Sequence, residues 1–400
     1  MKLLVFLPRI PYPLNKGDKL RAYHQIKHLS ENNDIYLFCL SSDRINPSHV
    51  DELKPYCKDI HICKLSWAGI ILTLIKNIFS CIPLQVSLFT TYGAEKKFVS
   101  YFKKTNPDAV YFQFVRSAEY AKKIKTYIQK HADKTENKKI KTVLDFQDCL
   151  SMNMYRRAMV SGFAVKQILM LETVRLRKYE NSMFDLFDTC TIITKQDRDC
   201  IVSIRRKEIK IIENGVDEKF FNFTANADKR YDIIFSGNMS YKPNIVAAEF
   251  LVKKILPLVQ KSIPDVKVVL AGSNPVKQVT DLACSNVEVT GWVEDMRLYY
   301  AQSRVFAAPM QIGTGLQNKL LEAMAMSLPC VATPLACNAL KHPEQSGVLT
   351  SQSEDGLAKH IVALLNDEDL RTKAAQTSSV YVKTNYNWAL SVKKLEQLLK

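Results

Sequence analysis

RVFAAPMQIGTGLQNKLLEAMAMSLPCVATP, residues 304–334, decides how the rest of the chain is read. Val305 to Ala308 is an apolar run that stops at Pro309. Gly313-Thr314-Gly315 then makes a turn, and Leu320 to Met326 has the composition of a helix. Pro329 ends that helix, and Cys330 to Thr333 reads as a second buried strand. Strand, glycine turn, helix and strand make one βαβ unit. Such a turn leaves backbone N–H groups free at a helix N-terminus, where an anion is favoured, and Lys319 adds a positive charge beside it. Glu322 follows three residues later, one turn along the same face, where a carboxylate can accept hydrogen bonds from sugar hydroxyls. A diphosphate at the turn and a diol at Glu322 together describe a nucleotide-sugar. The same spacing also fits glycines that merely turn the chain and a solvated Glu322.

Four hundred residues exceed what a single core holds, so two domains are expected. Hydrophobic content of 47% and charged content of 24% are those of an ordinary globular chain. The net charge of +16 points to an anionic partner or surface. Nucleic acid is not expected, because no basic segment interleaved with aromatics appears. Ten cysteines are scattered without paired spacing, several inside apolar runs, which suits buried thiols in a reducing cytoplasm. The opening MKLLVFLPRIPYP breaks at Pro8 and Arg9 and is not expected to act as a signal peptide. Leu65 to Phe89 is apolar but interrupted by Lys76 and Pro83, so it is not expected to span a membrane.

Outward from the quoted stretch, strands and helices alternate along both halves without a short fixed repeat. Leu3 to Leu7 is a strand. A proline-rich loop to Asp18 follows, and then a helix from Lys19 to Ser30 with Leu20, Tyr23, Ile26 and Leu29 at helical spacing. Ligands of parallel sheets lie at the carboxyl ends of strands, so the loop carrying Lys16, Gly17 and Asp18 is expected to face a cleft. Ile70 to Phe79 reads as a hydrophobic helix. It is either core or, with Trp67, Lys64 and Lys76, a bilayer-surface element assisted by the lysines between 122 and 141. Val143 to Phe146 is a strand leading to Asp148, which faces the cleft or serves as a cap or turn residue. LETVRLRKYE, inside the long helical segment that follows, is expected to form a cleft wall. Asp197 and Asp199 are two apart on a helix and point about 200° away from each other, so they are not expected to share a metal. Ile233 to Phe235 starts a second series, followed by Gly237 and Lys242.

Two segments carry a family resemblance. LLEAMAMSLPCVATP is similar to the C-terminal signature of family 4 glycosyltransferases, and Asn214-Gly215-Val216-Asp217 resembles the element that links their two domains. The resemblance implies the fold class GT-B, α/β, with two facing Rossmann-like domains and parallel sheets. It places an acceptor-binding domain at 1–207, a nucleotide-sugar-binding domain at 208–380 and a final helix, 381–400, crossing back to the first domain. The activity implied is retaining transfer of a sugar from a nucleotide-sugar to a glycan or lipid-linked acceptor, in cell-surface polysaccharide biosynthesis. The protein is expected in the cytoplasm, peripheral on an anionic membrane surface. No cofactor and no metal are expected. Donor contacts fall to Gly237, Lys242, Gly313, Thr314, Gly315, Lys319 and Glu322; Gly17, Asp18 and Arg21 form the acceptor and phosphate loop; Asp148 orients the acceptor or assists as a base. The family's usual first Glu is Thr314 here, and the Arg that commonly follows Gly237 is Asn238. A non-catalytic nucleotide- or glycan-binding protein and a sugar-nucleotide 2-epimerase are the alternatives on the same fold.

Overall fold

The computed structural model describes residues 1–14, 16–130, 140–223, 227–313 and 315–400. The chain divides into two compact units, Met1–Glu213 with Trp388–Lys400, and Asn214–Asn387. The divisions fall at 213/214 and 387/388, six and seven residues beyond the positions expected from the sequence.

The first unit is built on seven parallel strands: β1 (Lys2–Leu7), β2 (Asp34–Ser41), β3 (Asp59–Lys64), β4 (Ala109–Gln113), β5 (Lys141–Asp145), β6 (Thr189–Ile192) and β7 (Lys210–Ile211). Their order across the sheet is β3-β2-β1-β4-β5-β6-β7. β1 and β4 are buried along nearly their whole length, as strands covered by helices on both faces must be. Leu4, Phe6 and Phe112 enter the core on one face; Leu3, Val5 and Tyr111 enter that on the other. Helix Gly17–Leu29 covers this second face together with the last helix, Trp388–Leu399. Trp388 stacks on His24, with ring centroids 4.9 Å apart, and Val392, Leu395 and Leu399 are buried behind it.

The second unit has six parallel strands: β8 (Tyr231–Ser236), β9 (Val268–Ala271), β10 (Val287–Gly291), β11 (Ser303–Ala308), β12 (Cys330–Ala332) and β13 (Leu349–Thr350), in the order β10-β9-β8-β11-β12-β13. β11, helix Asn318–Ala325 and β12 form the βαβ unit read from residues 304–334. The helix after β8 runs from Lys242, with a π turn at Leu251–Ile255, to Gln260. Pro257 has no N–H for an i−4 bond, and the π turn immediately before it accommodates that gap.

In both sheets the first strand lies inside the sheet, third from one edge. The chain leaves β1 toward β2 and β3 and returns to the other side at β4; it leaves β8 toward β9 and β10 and returns at β11. The connections after β1 and β4, and after β8 and β11, therefore depart in opposite directions and leave a crevice at their carboxyl ends. Among the described residues, no helix is long and apolar enough to cross a membrane.

Candidate functional site

The crevice between β8 and β11 gathers most of the residues singled out as donor contacts. β8 ends at Ser236, and Gly237 follows with φ near +150°. A Cβ there would lie 2.7 Å from Asn244 Nδ2 and 3.3 Å from Lys319 Nζ, so only glycine leaves these two side chains in place. Lys319, in the first turn of helix Asn318–Ala325, donates to Asn244 Oδ1 at 2.5 Å and rests over the Phe235 ring at 4.4 Å. Asn244 Nδ2 in turn donates to the Asn238 carbonyl at 2.9 Å. Burial depresses the Lys319 ammonium to about 7, with Glu322 holding it up in part.

Glu322 is one turn further along that helix. Tyr300, fully buried, donates to Glu322 Oε2 at 3.3 Å and shares a 2.8 Å hydrogen bond with Ser236 Oγ. Burial lifts the Glu322 carboxyl to about 7, while Tyr300, Lys219 and Lys319 pull it back. No side chain caps the N-terminus of this helix, the end at which an anion is favoured. Gly315 has φ near +78° in open space, and Gly313 has φ near +120°, where an added Cβ would lie 3.3 Å from Pro243 Cβ. Thr314 lies outside the described residues. Lys242 is exposed in the first turn of its own helix. Asn214, at the start of this unit, donates to Asn318 Oδ1 at 3.4 Å.

Asn244 and Tyr300 escaped the sequence reading. An Asn near a helix start reads as a cap, and a Tyr in a short amphipathic helix reads as core. Only the folded chain brings Asn244 to Lys319 and Tyr300 to Glu322.

The first unit has a second polar cluster at its own crevice. Asp18, in the first turn of helix Gly17–Leu29, pairs with Arg9 at 3.2 Å, and its carbonyl accepts from Gln113 Nε2 at 3.3 Å. Gly17 opens that helix. Arg21 does not supply loop charge as expected. It points inward with Gln25, one turn on, and donates to Asp145 Oδ2 at 2.6 Å; Tyr111 donates to the same oxygen at 2.7 Å. Its guanidinium is fully buried under the helix, where it neutralises a carboxylate at the end of β5.

Asp148, three residues beyond β5, accepts from Asn153 at 2.9 Å. Burial raises its carboxyl to about 7, Asp197 adds to the rise, and Arg116 opposes it. Arg116 donates to Gln85 Oε1 at 3.2 Å and stacks over Phe89 and Phe114. Phe114 and Gln147, just past β4 and β5, both have φ above +60°, a backbone state uncommon for such residues and concentrated at functional sites. Asp197 closes the cap of helix Lys195–Cys200, its N–H bonded to Thr194 Oγ1 and its carboxylate accepting from the same hydroxyl. Asp199 pairs with Arg198.

The fold of the chain is GT-B, and residues 230–367 match the family model described as Glycosyl transferases group 1. The matched segment begins at the strand before Gly237 and includes Lys242, Lys319 and Glu322. Over 407 aligned residues the chain is 21% identical to an uncharacterized 44.6 kDa protein in the cps region of Klebsiella pneumoniae, covering 96% of each chain. It is similar in structure to sucrose-phosphate synthase from Thermosynechococcus elongatus, with a TM-score of 0.69, 14% identity and coverage of 100% of this chain and 98% of that one. It is similar as well to Anabaena HepE in complex with UDP-glucose, with a TM-score of 0.68, 13% identity and 99% of each chain covered.

Proposed function

We propose that this protein transfers a sugar, with retention of anomeric configuration, from a nucleotide-sugar to a glycan or lipid-linked acceptor, in cell-surface polysaccharide biosynthesis. The observation that carries the reading is the Lys319–Asn244–Glu322–Tyr300 constellation at the β8/β11 crevice. Lys319 and the positive N-terminal end of its helix supply what a diphosphate needs, and Glu322, braced by Tyr300, supplies acceptors for a ribose diol. The glycines at 237, 313 and 315 let backbone approach the diphosphate, and exposed Lys242 adds a second cation. As the glycosidic bond breaks, negative charge grows on the diphosphate, and these groups stabilise it in place. The structural likeness to a UDP-glucose complex and the relative from a cps region both agree with this reading.

Asp148 is assigned to the acceptor, as a group that orients its hydroxyl or takes its proton. A carboxyl raised to about 7 exchanges a proton near neutral pH, as base assistance requires. Gly17 and Asp18 are assigned to the same acceptor loop. The deciding experiment incubates the protein with a panel of UDP-, GDP-, ADP- and dTDP-sugars and follows release of the nucleotide with and without acceptors. Turnover of at least one donor is expected. Tight nucleotide binding without turnover of any donor identifies a non-catalytic binding protein, and 2-epimer formation identifies an epimerase.

A further inference from the structure

The first unit carries an apolar face that its own core leaves uncovered. In helix Trp67–Asn77, capped by Ser66, only Ile70 and Asn77 are buried; Trp67 and Leu72 are exposed, and Phe79 just beyond is 97% exposed. The opening turns of helix Phe163–Leu186 behave alike, with Phe163 81% exposed and Ile168 and Leu171 open to solvent. LETVRLRKYE thus begins on this apolar row at Leu171. The two helices are joined at their exposed rows. Arg175 lies one turn beyond Leu171 and two beyond Ile168 on the same helix face, and its guanidinium donates to the Ile78 carbonyl at 2.6 Å. Beside it, Glu172 accepts from the Gln85 N–H at 2.7 Å.

The exposed charge of the two segments is basic, while the nearby acids Glu172 and Glu95 are largely covered. Residues 64–89 contain no Asp or Glu but include Lys64 and Lys76; residues 149–171 contain no Asp or Glu but include Arg156, Arg157 and Lys166. Lys64, Lys76, Arg156 and Arg157 are exposed. The lysine-rich helix Ala118–Lys130, expected to supply much of the basic charge, is partly neutralised: Lys122 pairs with Glu119 and Lys123 with Glu95. Residues 131–139 of the expected lysine run lie outside the described residues.

A large apolar area on a soluble surface marks an interaction site. A second copy of this chain docked through a two-fold axis would set these cations against themselves. An anionic bilayer meets both halves of the pattern: apolar side chains enter the acyl boundary, Trp67 sits at headgroup depth, and the Arg and Lys groups meet lipid phosphates. We propose that helices Trp67–Asn77 and Phe163–Leu186 form one docking face for a bilayer containing anionic phospholipid. The face does not depend on sugar transfer; where transfer is also established, it means that the acceptor is met at a membrane surface.

The test is flotation of the full chain with vesicles of phosphatidylcholine alone or mixed with phosphatidylglycerol. Two double variants are compared with the wild type, Phe163→Asp with Ile168→Asp and Arg156→Glu with Arg157→Glu, each checked for unchanged thermal unfolding. The wild type is expected to float with mixed vesicles, less at high salt, and little with phosphatidylcholine alone. Each double variant is expected to lose about ten-fold or more in vesicle partitioning. Equal binding to both vesicle types, binding to neither, or variants that bind like the wild type would overturn the proposal. So would a dimer in light scattering that Phe163→Asp with Ile168→Asp dissolves while vesicle binding is absent. Calorimetric UDP binding on the same samples reports separately on the transfer reading.

Discussion

Lys319 and Glu322 are held near 7 from opposite directions, and this gives donor binding a pH signature. Burial lowers the ammonium, so Lys319 carries its charge only below about 7; burial raises the carboxyl, so Glu322 carries its charge only above about 7. A diphosphate needs the first charge and a ribose diol favours the second, so UDP affinity is expected to peak near neutrality, with limbs that belong to the coupled pair. Calorimetric titrations should show that Lys319→Ala removes the alkaline limb and Glu322→Gln the acidic one. Each variant should bind at least about ten-fold more weakly at the optimum, the worth of a hydrogen bond to a charged group. A flat wild-type profile, or variants matching it, would remove both residues from the donor site. Asp145 offers the contrasting case. Asp145→Asn removes the carboxylate charge paired with the fully buried Arg21, and denaturant unfolding should show a loss of about 3–5 kcal/mol. The glycines and the Lys–Glu spacing were legible in the sequence because the chemistry they imply is local. The burial of Arg21 was not, since it depends on a partner 124 residues away.

At the scale of elements, hydrophobic pattern identified the strands well, because parallel strands buried on both faces read as unbroken apolar runs. The same pattern left open whether Leu65 to Phe89 is core or surface: an apolar segment carries no mark of which neighbours cover it. Ile168, Leu171 and Val174 step by three in the sequence and mark a helix, but nothing in that spacing shows that Ile168 and Leu171 are exposed. Helix Trp388–Leu399 makes the opposite point, since its burial is nearly complete along one side. Trp388→Ala removes a large side chain from the stack with His24 and from the core shared with Leu3, Val5 and Tyr111, and should cost about 3–5 kcal/mol. Hydrogen exchange should show the loosening in helix Gly17–Leu29 before any change at the β8/β11 crevice. Uniform loss of protection over both units would contradict that.

For the whole molecule, alternating strands and helices made two Rossmann-like units readable from the sequence, while their edges were not, because a few residues of extended linker look alike on either side of a boundary. The same scale governs metal dependence. Leaving-group charge is assigned to lysines and helix amides, and Asp197 is engaged in a helix cap, so sugar transfer is expected to continue in excess EDTA. Loss of turnover in EDTA that magnesium or manganese restores would show that a divalent ion is required. The division of the chain also has a consequence for its birth. The second unit is one uninterrupted stretch, but the first is completed only by residues 388–400, which are made after the whole of the second unit. On the ribosome the early strands must wait through the whole of the later sheet with an apolar flank bare, and a stalled or truncated nascent chain would present that flank to chaperones and proteases.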